Sequence, residues 1–180
     1  FALPRVPSVF IGATFPGSGK SELVKRFIRE HGVNAIIACP TNTLAQETKA
    51  SLGDLATVAT AHSLLGLLAD GTDTKHQQHD LAEYQLVAFD EVMMYDPAIL
   101  LRLPRLLERY PQVMFVATGD GRQLPPVAGS EYFNHVPHLS GYLTSMVQGM
   151  FGQYVWLQEN KRLRPEFRSA LGELMDDIFA

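Results

Sequence analysis

The chain of 180 residues is 46% hydrophobic and 19% charged, with a formal net charge of −4. This length suits one domain with a substantial core, and the composition is typical of a globular α/β protein. The acidic balance argues against a broadly basic nucleic-acid surface, but it is compatible with a local basic groove.

Cysteine content and hydropathy bear on the compartment. The single cysteine, Cys39, cannot form an internal disulfide, which favours a reducing environment. The sequence has no secretory signal and no apolar run of the roughly 20 residues that would span a bilayer. We therefore expect an intracellular protein without a membrane partner, and the nucleus, cytoplasm, mitochondrion and a virus-infected cell all remain open.

The first elements are a predicted strand, a glycine-containing loop and a helix. The apolar run 6–11 predicts the strand, and the spacing of Leu23, Val24 and Phe27 predicts the helix. Glycines let successive backbone N–H groups turn inward, and the start of the helix adds a positive dipole end, so such a loop can hold phosphates. The predicted loop residues are Thr14, Pro16, Gly17, Ser18, Gly19, Lys20 and Ser21.

Two residues of this loop have predicted roles of their own. Lys20 would reach the β- and γ-phosphates, and Ser21 would ligate Mg²⁺. Thr14 stands where the pattern G-x-x-x-x-G-K-[ST] has its first glycine, which is a departure from that pattern. The alternative is a plain glycine turn before a helix.

The next two predicted strands each lead into a polar segment. Run 33–38 is followed by Pro40, Thr41 and Asn42, and run 55–61 is followed by a short helix that begins with His62 and Ser63. We predict that Asn42 or Thr43 caps the helix after the first run. The alternative for Thr41 and Asn42 is contact with a nucleic-acid backbone.

A pair of acids ends the next predicted strand, 85–89. Asp90 and Glu91 would be costly beside a buried strand unless a cation meets them. We predict that Asp90 holds the Mg²⁺ water shell and that Glu91 orients the attacking water. The alternative is a helix-capping or salt-bridged pair.

The remaining elements continue the alternation of helices and strands. One helix is predicted from Asp96 through Leu107, with three arginines on its solvated side. The strand 113–118 leads to a turn in which Gln123 could sense a γ-phosphate if this strand lies beside the one that ends at Asp90; the alternative is an ordinary turn. The strand 154–157 leads to Arg162, which could stabilise a transferring phosphoryl group. The pattern predicts an α/β fold with a mainly parallel sheet and helices on both faces.

Six motifs occur in the order in which superfamily 1 helicases have motifs I to IV. Their forms most resemble the branch that contains the yeast petite-integration-frequency helicase and the RecD-type helicases. The motifs are 17–21 (GSGKS), 40–42 (PTN), 60–63 (TAHS), 89–94 (FDEVMM), 119–127 (GDGRQLPPV) and 160–163 (NKRL).

This resemblance implies a RecA-like P-loop domain that binds ATP and Mg²⁺ and contacts single-stranded DNA or RNA. The implied catalytic residues are Lys20, Glu91, Gln123 and Arg162, and the implied metal residues are Ser21 and Asp90. The implied nucleic-acid residues are Pro40, Thr41, Asn42, His62 and Ser63, with Tyr95, Tyr132 and Phe133 as candidates for stacking on bases.

The resemblance also implies that residues 1–180 form one motor lobe. The sequence lacks an initiator Met and the second lobe of such helicases, so we expect a longer parent protein that carries the partner lobe. Because translocation needs two lobes, this lobe alone should bind nucleotide, hydrolyse it poorly and unwind nothing. The complete helicase would move 5′→3′. The alternatives are a stand-alone P-loop kinase or ATPase, and a nucleotide-dependent interaction module that recruits a partner through the Arg102 face.

Overall fold

A computed structural model of the protein describes residues 8–13, 19–66, 80–120, 147 and 149–157. Within these residues six strands form one sheet in the order β3-β2-β4-β5-β1-β6, and every pairing is parallel. The strands are β1 (Val9–Ala13), β2 (Ala35–Cys39), β3 (Thr57–Thr60), β4 (Leu86–Phe89), β5 (Met114–Asp120) and β6 (Gln153–Leu157). The helices are α1 (Lys20–His31), α2 (Asn42–Leu52), α3 (Ala61–Leu65), α4 (Pro97–Leu100) and α5 (Leu103–Arg109).

Both faces of the sheet are covered, because alternate residues of each central strand enter different cores. In β4, Val87 and Phe89 belong to the core that includes residues of α3, α4 and α5, whereas Leu86 and Ala88 belong to the core that includes residues of α1. Parallel strands that are buried on both faces are nearly continuous in apolar residues, as β2 and β4 are. The predicted α/β fold with helices on both faces is therefore confirmed.

Helix α1 follows β1 and packs its apolar side on the sheet. Leu23, Val24, Phe27 and Ile28 are buried along that side. The helix ends at Gly32, whose φ of 61° lies in the left-handed region and whose N–H donates to the Ile28 carbonyl. This packing fixes the N-terminus of α1 beside the carboxyl ends of the strands.

Two local predictions were wrong. Helix α2 is capped by Thr41, whose Oγ1 accepts a hydrogen bond of 3.2 Å from the Leu44 N–H, and not by Asn42 or Thr43. The single helix predicted from Asp96 is divided into α4 and α5. Pro104 explains the break, because it has no N–H to donate to a carbonyl of the preceding turn and its ring crowds that turn.

Candidate nucleotide-binding and catalytic site

The N-terminus of α1 is the foundation of the site. Gly19 precedes the helix with a φ of 87°, a conformation that glycine adopts without steric cost. Its carbonyl accepts the first helical hydrogen bond, 2.9 Å from the Leu23 N–H. Lys20 and Ser21 therefore lie in the first turn, where backbone N–H groups lack helical partners and the dipole favours an anion.

A hydroxyl from α1 and a carboxylate from the end of β4 meet directly. Ser21 Oγ donates a hydrogen bond of 2.5 Å to Oδ1 of Asp90, which is 9% exposed. Asp90 is itself anchored, because its N–H donates to the Ala38 carbonyl at 2.8 Å. Residues 69 positions apart are thus joined, and the lone pairs of Ser21 Oγ stay available to a metal.

The second pair at the site is ionic. Lys20 Nζ lies 3.4 Å from Oε1 of Glu91, and the two side chains are 5% and 27% exposed. The carboxylate offsets the cost of burying the lysine ammonium. Glu91 stands out among the described non-glycine residues, because no other has a positive φ; its φ and ψ are 48° and 51°.

Thr118, at the carboxyl end of β5, connects the two acids. Its hydroxyl donates to Oδ1 of Asp90 at 2.8 Å and accepts from the Glu91 N–H at 3.0 Å. The sequence interpretation did not select this residue. The only sequence signal was a polar residue at the end of an apolar strand, which by itself is unspecific.

The donor set fits a hydrated Mg²⁺ ion beside a triphosphate. Magnesium takes oxygen ligands and is commonly held by one or two protein groups together with phosphates and waters, and Ser21 and Asp90 offer a hydroxyl and a carboxylate. Across the described ranges no group of three or more His, Cys, Asp or Glu side chains could hold a metal ion by itself. Lys20 adds a cation at the helix start, where phosphate oxygens would lie.

A family model described as "AAA domain" matches residues 2–129. The chain belongs to this AAA domain family. Its similarity to helicases is more specific, as one curated relative and two solved structures illustrate.

The relatives are bacterial helicases. The chain is 33% identical over 117 residues to the ATP-dependent RecD2 DNA helicase of Deinococcus radiodurans. The matched segment covers 62% of this chain and 15% of that protein. A crystal structure of Bacteroides Pif1 bound to ssDNA matches with 26% identity and a TM-score of 0.58, over 93% of this chain and 42% of the other. Pif1 from Bacteroides sp in complex with ADP-AlF4 matches with 24% identity and a TM-score of 0.60, over the same shares of the two chains, and shows likeness of fold.

These similarities confirm the resemblance to the RecA-like domain of superfamily 1 helicases of the 5′→3′ branch. This AAA domain is thus a motor domain of the helicase family. It spans less than half of the Pif1 chains and about a seventh of the RecD2 protein.

Several predicted site residues lie outside the described part of this AAA domain. Those residues are Thr14, Pro16, Gly17, Ser18, Gln123 and Arg162, together with the stacking candidates Tyr132 and Phe133. Their predicted roles stay predictions.

The predicted nucleic-acid residues come together at one edge of the sheet. Strands β2 and β3 pair so that Cys39 lies opposite Thr60, and the segments that follow both strands therefore leave the same edge. Thr41 and Asn42 are exposed, while Pro40, His62 and Ser63 are half-buried. The Ser63 N–H donates to Thr60 Oγ1 at 3.1 Å, which fixes the start of α3.

Tyr95 was a wrong candidate for stacking on a base. It is 1% exposed, its hydroxyl donates to the Ala38 carbonyl at 2.8 Å, and its ring meets Phe89 edge-on at a centroid distance of 6.3 Å. Burial raises the pKa of its hydroxyl well above 10.0, with the charge of Asp90 adding to the effect. Tyr95 therefore holds the turn after β4 against β2.

The arginines of the α5 region lie on the surface. Arg102, Arg105 and Arg109 are exposed, as the predicted solvated face requires, and the Arg109 guanidinium lies 5.4 Å from the centre of the Tyr110 ring. Among the described helices, none has the length and apolar character needed to cross a membrane.

Proposed function

We propose that this chain is the ATP-binding lobe of a superfamily 1 DNA helicase. In the complete protein, a second RecA-like lobe would follow, and hydrolysis of Mg-ATP would drive 5′→3′ movement on single-stranded DNA and unwinding of duplexes. The names of the relatives, an ATP-dependent DNA helicase and a Pif1 bound to ssDNA, support this choice of nucleotide and nucleic acid.

The observation that carries the proposal is the meeting of α1 with the acids after β4. Ser21 touches Asp90 and Lys20 pairs with Glu91, so a helix start suited to phosphate, two candidate oxygen ligands and a candidate base lie at one sheet edge. Ligands of open parallel α/β sheets bind at the carboxyl ends of the strands, which is where these four side chains lie.

The residues divide the chemistry among them. Lys20 would bind the β- and γ-phosphate oxygens, and Ser21 and Asp90 would hold Mg²⁺. The bound metal would neutralise charge on the phosphates. Glu91 would orient the attacking water and accept its proton, while Gln123 and Arg162 would contact the terminal phosphate and stabilise its charge.

The nucleic acid would lie along the edge formed after β2 and β3. Asn42 is exposed in the first turn of α2, where backbone and side-chain donors can meet phosphate oxygens. Pro40 and His62 would form the neighbouring wall. Strand β2 is the neighbour of β4 in the sheet and β3 lies on the other side of β2, so the nucleic acid would begin at the strand end next to the acids.

Nucleotide-responsive binding of an oligonucleotide tests this function. Fluorescence anisotropy of labelled (dT)20 would be followed with the full-length protein, first without nucleotide and then with a non-hydrolysable ATP analogue and Mg²⁺. We expect the affinity to change by about fivefold or more, since coupling between two sites is typically about 1–3 kcal/mol, and Asp90→Asn should remove the response. An affinity that does not respond to nucleotide would refute the motor proposal, and stronger binding of (U)20 would replace DNA by RNA.

Variants of the exposed α2 surface test where the oligonucleotide lies. Asn42→Ala should weaken (dT)20 binding, while Gln46→Ala, at an exposed position one turn further along the same helix, should not. Equal effects of the two changes would contradict the proposed edge.

A further inference from the structure

We propose that Thr118 is a positioning residue that sets the geometry of both acids at the site. The inference rests on the proposed function, in which Asp90 holds Mg²⁺ and Glu91 acts on water. It concerns a hydroxyl that neither the helicase motifs nor the comparisons single out.

The side chain of Thr118 is placed to serve both acids at once. It is 2% exposed, and its Oγ1 lies 2.8 Å from Asp90 Oδ1 and 3.0 Å from the Glu91 nitrogen. A hydroxyl has one proton to donate and two lone pairs to accept with. Thr118 therefore donates to the Asp90 carboxylate and accepts from the Glu91 N–H without conflict.

Strand register explains why a residue of β5 reaches this position. Ala117 is the partner of Phe89, the last residue of β4, so Thr118 lies beside the first residue beyond that strand. Beyond Phe89 the chain turns away from the ladder. The Thr118 hydroxyl then accepts a hydrogen bond from the Glu91 N–H. Within the sheet, a backbone carbonyl would accept such a bond.

The backbone of Glu91 needs such a constraint. Its φ of 48° places a non-glycine residue in the left-handed region, a strained conformation that persists only where the surroundings hold it. The hydrogen bond to Thr118 is one contact that holds it, and the ion pair with Lys20 at 3.4 Å is another. Without the hydroxyl, the backbone of Glu91 would be less constrained, and the orientation of its side chain would vary more.

The same hydroxyl also orients the metal ligand. Ser21 and Thr118 both donate to Oδ1 of Asp90, so a chain of hydrogen bonds runs from α1 through the end of β4 to β5 and on to the Glu91 N–H. Two hydrogen bonds that Oδ1 accepts fix the rotation of the Asp90 carboxylate. A ligand that is already oriented loses less entropy when it meets its ion.

Thr118→Val and Thr118→Ser separate the hydroxyl from the packing. Valine keeps the branched shape and removes the hydroxyl, whereas serine keeps the hydroxyl. We expect Thr118→Val to lower kcat for ATP hydrolysis by the full-length protein by about 10- to 100-fold, because displacement of a catalytic group by about 1 Å can cost about 100-fold. The KM for ATP should stay within about threefold, and Thr118→Ser should restore kcat to within about threefold of the wild type.

Amide hydrogen exchange supplies a measurement that does not depend on activity. We expect the Glu91 N–H of the nucleotide-free chain to exchange at least tenfold faster in Thr118→Val and at nearly the wild-type rate in Thr118→Ser. Unchanged exchange together with unchanged kcat in Thr118→Val would overturn the proposal. A wild-type chain that does not bind Mg-ATP would instead refute the proposed function, and the exchange data would still report on Thr118.

Thr48→Val is the matched control. Thr48 is a second buried threonine that lines the same small cavity as Asp90 and Thr118, but its hydroxyl accepts from the Cys39 thiol at 3.7 Å. We expect this variant to leave kcat and Glu91 exchange unchanged. An equal loss in both valine variants would show that the loss of any buried hydroxyl near the cavity disturbs the site, which would also overturn a specific role for Thr118.

Discussion

Lys20 Nζ lies 3.4 Å from Oε1 of Glu91, so the proposed phosphate-binding cation and the proposed base are paired with each other. A phosphate that binds at the α1 start would compete with Glu91 for the lysine. The arrival of nucleotide would then release the carboxylate toward water. In this exchange the phosphate replaces Glu91 as the partner of Lys20, and water replaces Lys20 as the partner of Glu91.

Lys20→Ala tests the phosphate-binding role. We expect the affinity for a fluorescent ATP analogue to fall by about 10- to 100-fold, since a hydrogen bond to a charged group is worth about 1.5–3 kcal/mol. Isothermal titration or anisotropy would measure the change. The fold should persist, because Glu91 is 27% exposed and can be hydrated once the lysine is gone.

Lys49→Ala is the control for charge, because Lys49 is exposed on α2. It should leave nucleotide affinity unchanged. Circular dichroism should show similar spectra and similar Tm values for both variants. Nucleotide affinity that survives in a folded Lys20→Ala protein would contradict the proposed site.

Glu91→Gln separates nucleotide binding from hydrolysis. The amide keeps the shape of the side chain and removes its basicity, so binding should persist while the hydrolysis rate falls by about 10²- to 10⁴-fold. Single-turnover hydrolysis by the full-length protein would measure the rate. Glu83→Gln, at an exposed position, should hydrolyse normally, and normal hydrolysis by Glu91→Gln would show that another group is the base.

The fold was predictable because its strands are buried on both faces. The apolar runs before Cys39 and Asp90 have the length and composition of central parallel strands, and the structure places them as β2 and β4. The division of the helix after Asp96 was less accessible, since its run of leucines keeps a helical period across Pro104. The cap of α2 shifted by one residue because Thr41 has the extended backbone from which its hydroxyl can reach the Leu44 N–H.

The site was only partly predictable, because some of its contacts depend on tertiary structure. Ser21 and Asp90 each follow a predicted parallel strand, so both lie at the carboxyl edge of the sheet. The order of strands and motifs that implies this placement can be read from the sequence. The bonds of Thr118 depend on strand register and on the left-handed turn at Glu91, which no local pattern encodes. The burial of Tyr95 was likewise decided by tertiary contacts with Phe89 and Ala38.

Tyr95→Phe should affect stability and not DNA binding. The change removes a buried hydroxyl that donates to the Ala38 carbonyl, but that carbonyl keeps its bond from the Asp90 N–H at 2.8 Å. We therefore expect the free energy of unfolding to fall by about 1 kcal/mol in urea titrations. The half-buried Tyr84 supplies the control Tyr84→Phe, and weaker (dT)20 binding by a fully stable Tyr95→Phe protein would return Tyr95 to the DNA site.

Glu91→Gly and Glu91→Ala test the strain at the base. Both lack the carboxylate, but glycine adopts a φ of 48° without the clash that alanine suffers. We expect the glycine variant to be the more stable of the two by about 1 kcal/mol in urea unfolding. At Glu83, which lies in a short 3₁₀ helix, the order should reverse because glycine weakens helical backbone; the same order at both positions would argue against strain at Glu91.

Stability at alkaline pH should depend on Cys39. Burial raises the pKa of its thiol from 9.0 to about 11, an effect that the hydrogen bond to Thr48 only partly opposes. Between these two values the unfolded chain loses the thiol proton while the folded chain keeps it. The stabilisation is therefore complete below pH 9 and decreases as the pH rises toward 11, by at most about 1.4 kcal/mol per pH unit.

Comparison with Cys39→Ala isolates this contribution. Urea unfolding at pH 8, 9, 10 and 11 should show a steeper alkaline loss of stability in the wild type than in the variant, although the variant starts lower because it lacks the buried sulfur. Tyr95, whose pKa is raised chiefly by burial and to a lesser extent by the charges of Asp90 and Cys39, is present in both proteins, so the larger part of its titration cancels in the difference. Parallel pH profiles would mean that the folded thiol ionises as readily as the unfolded one, in conflict with the complete burial of Cys39 under α2.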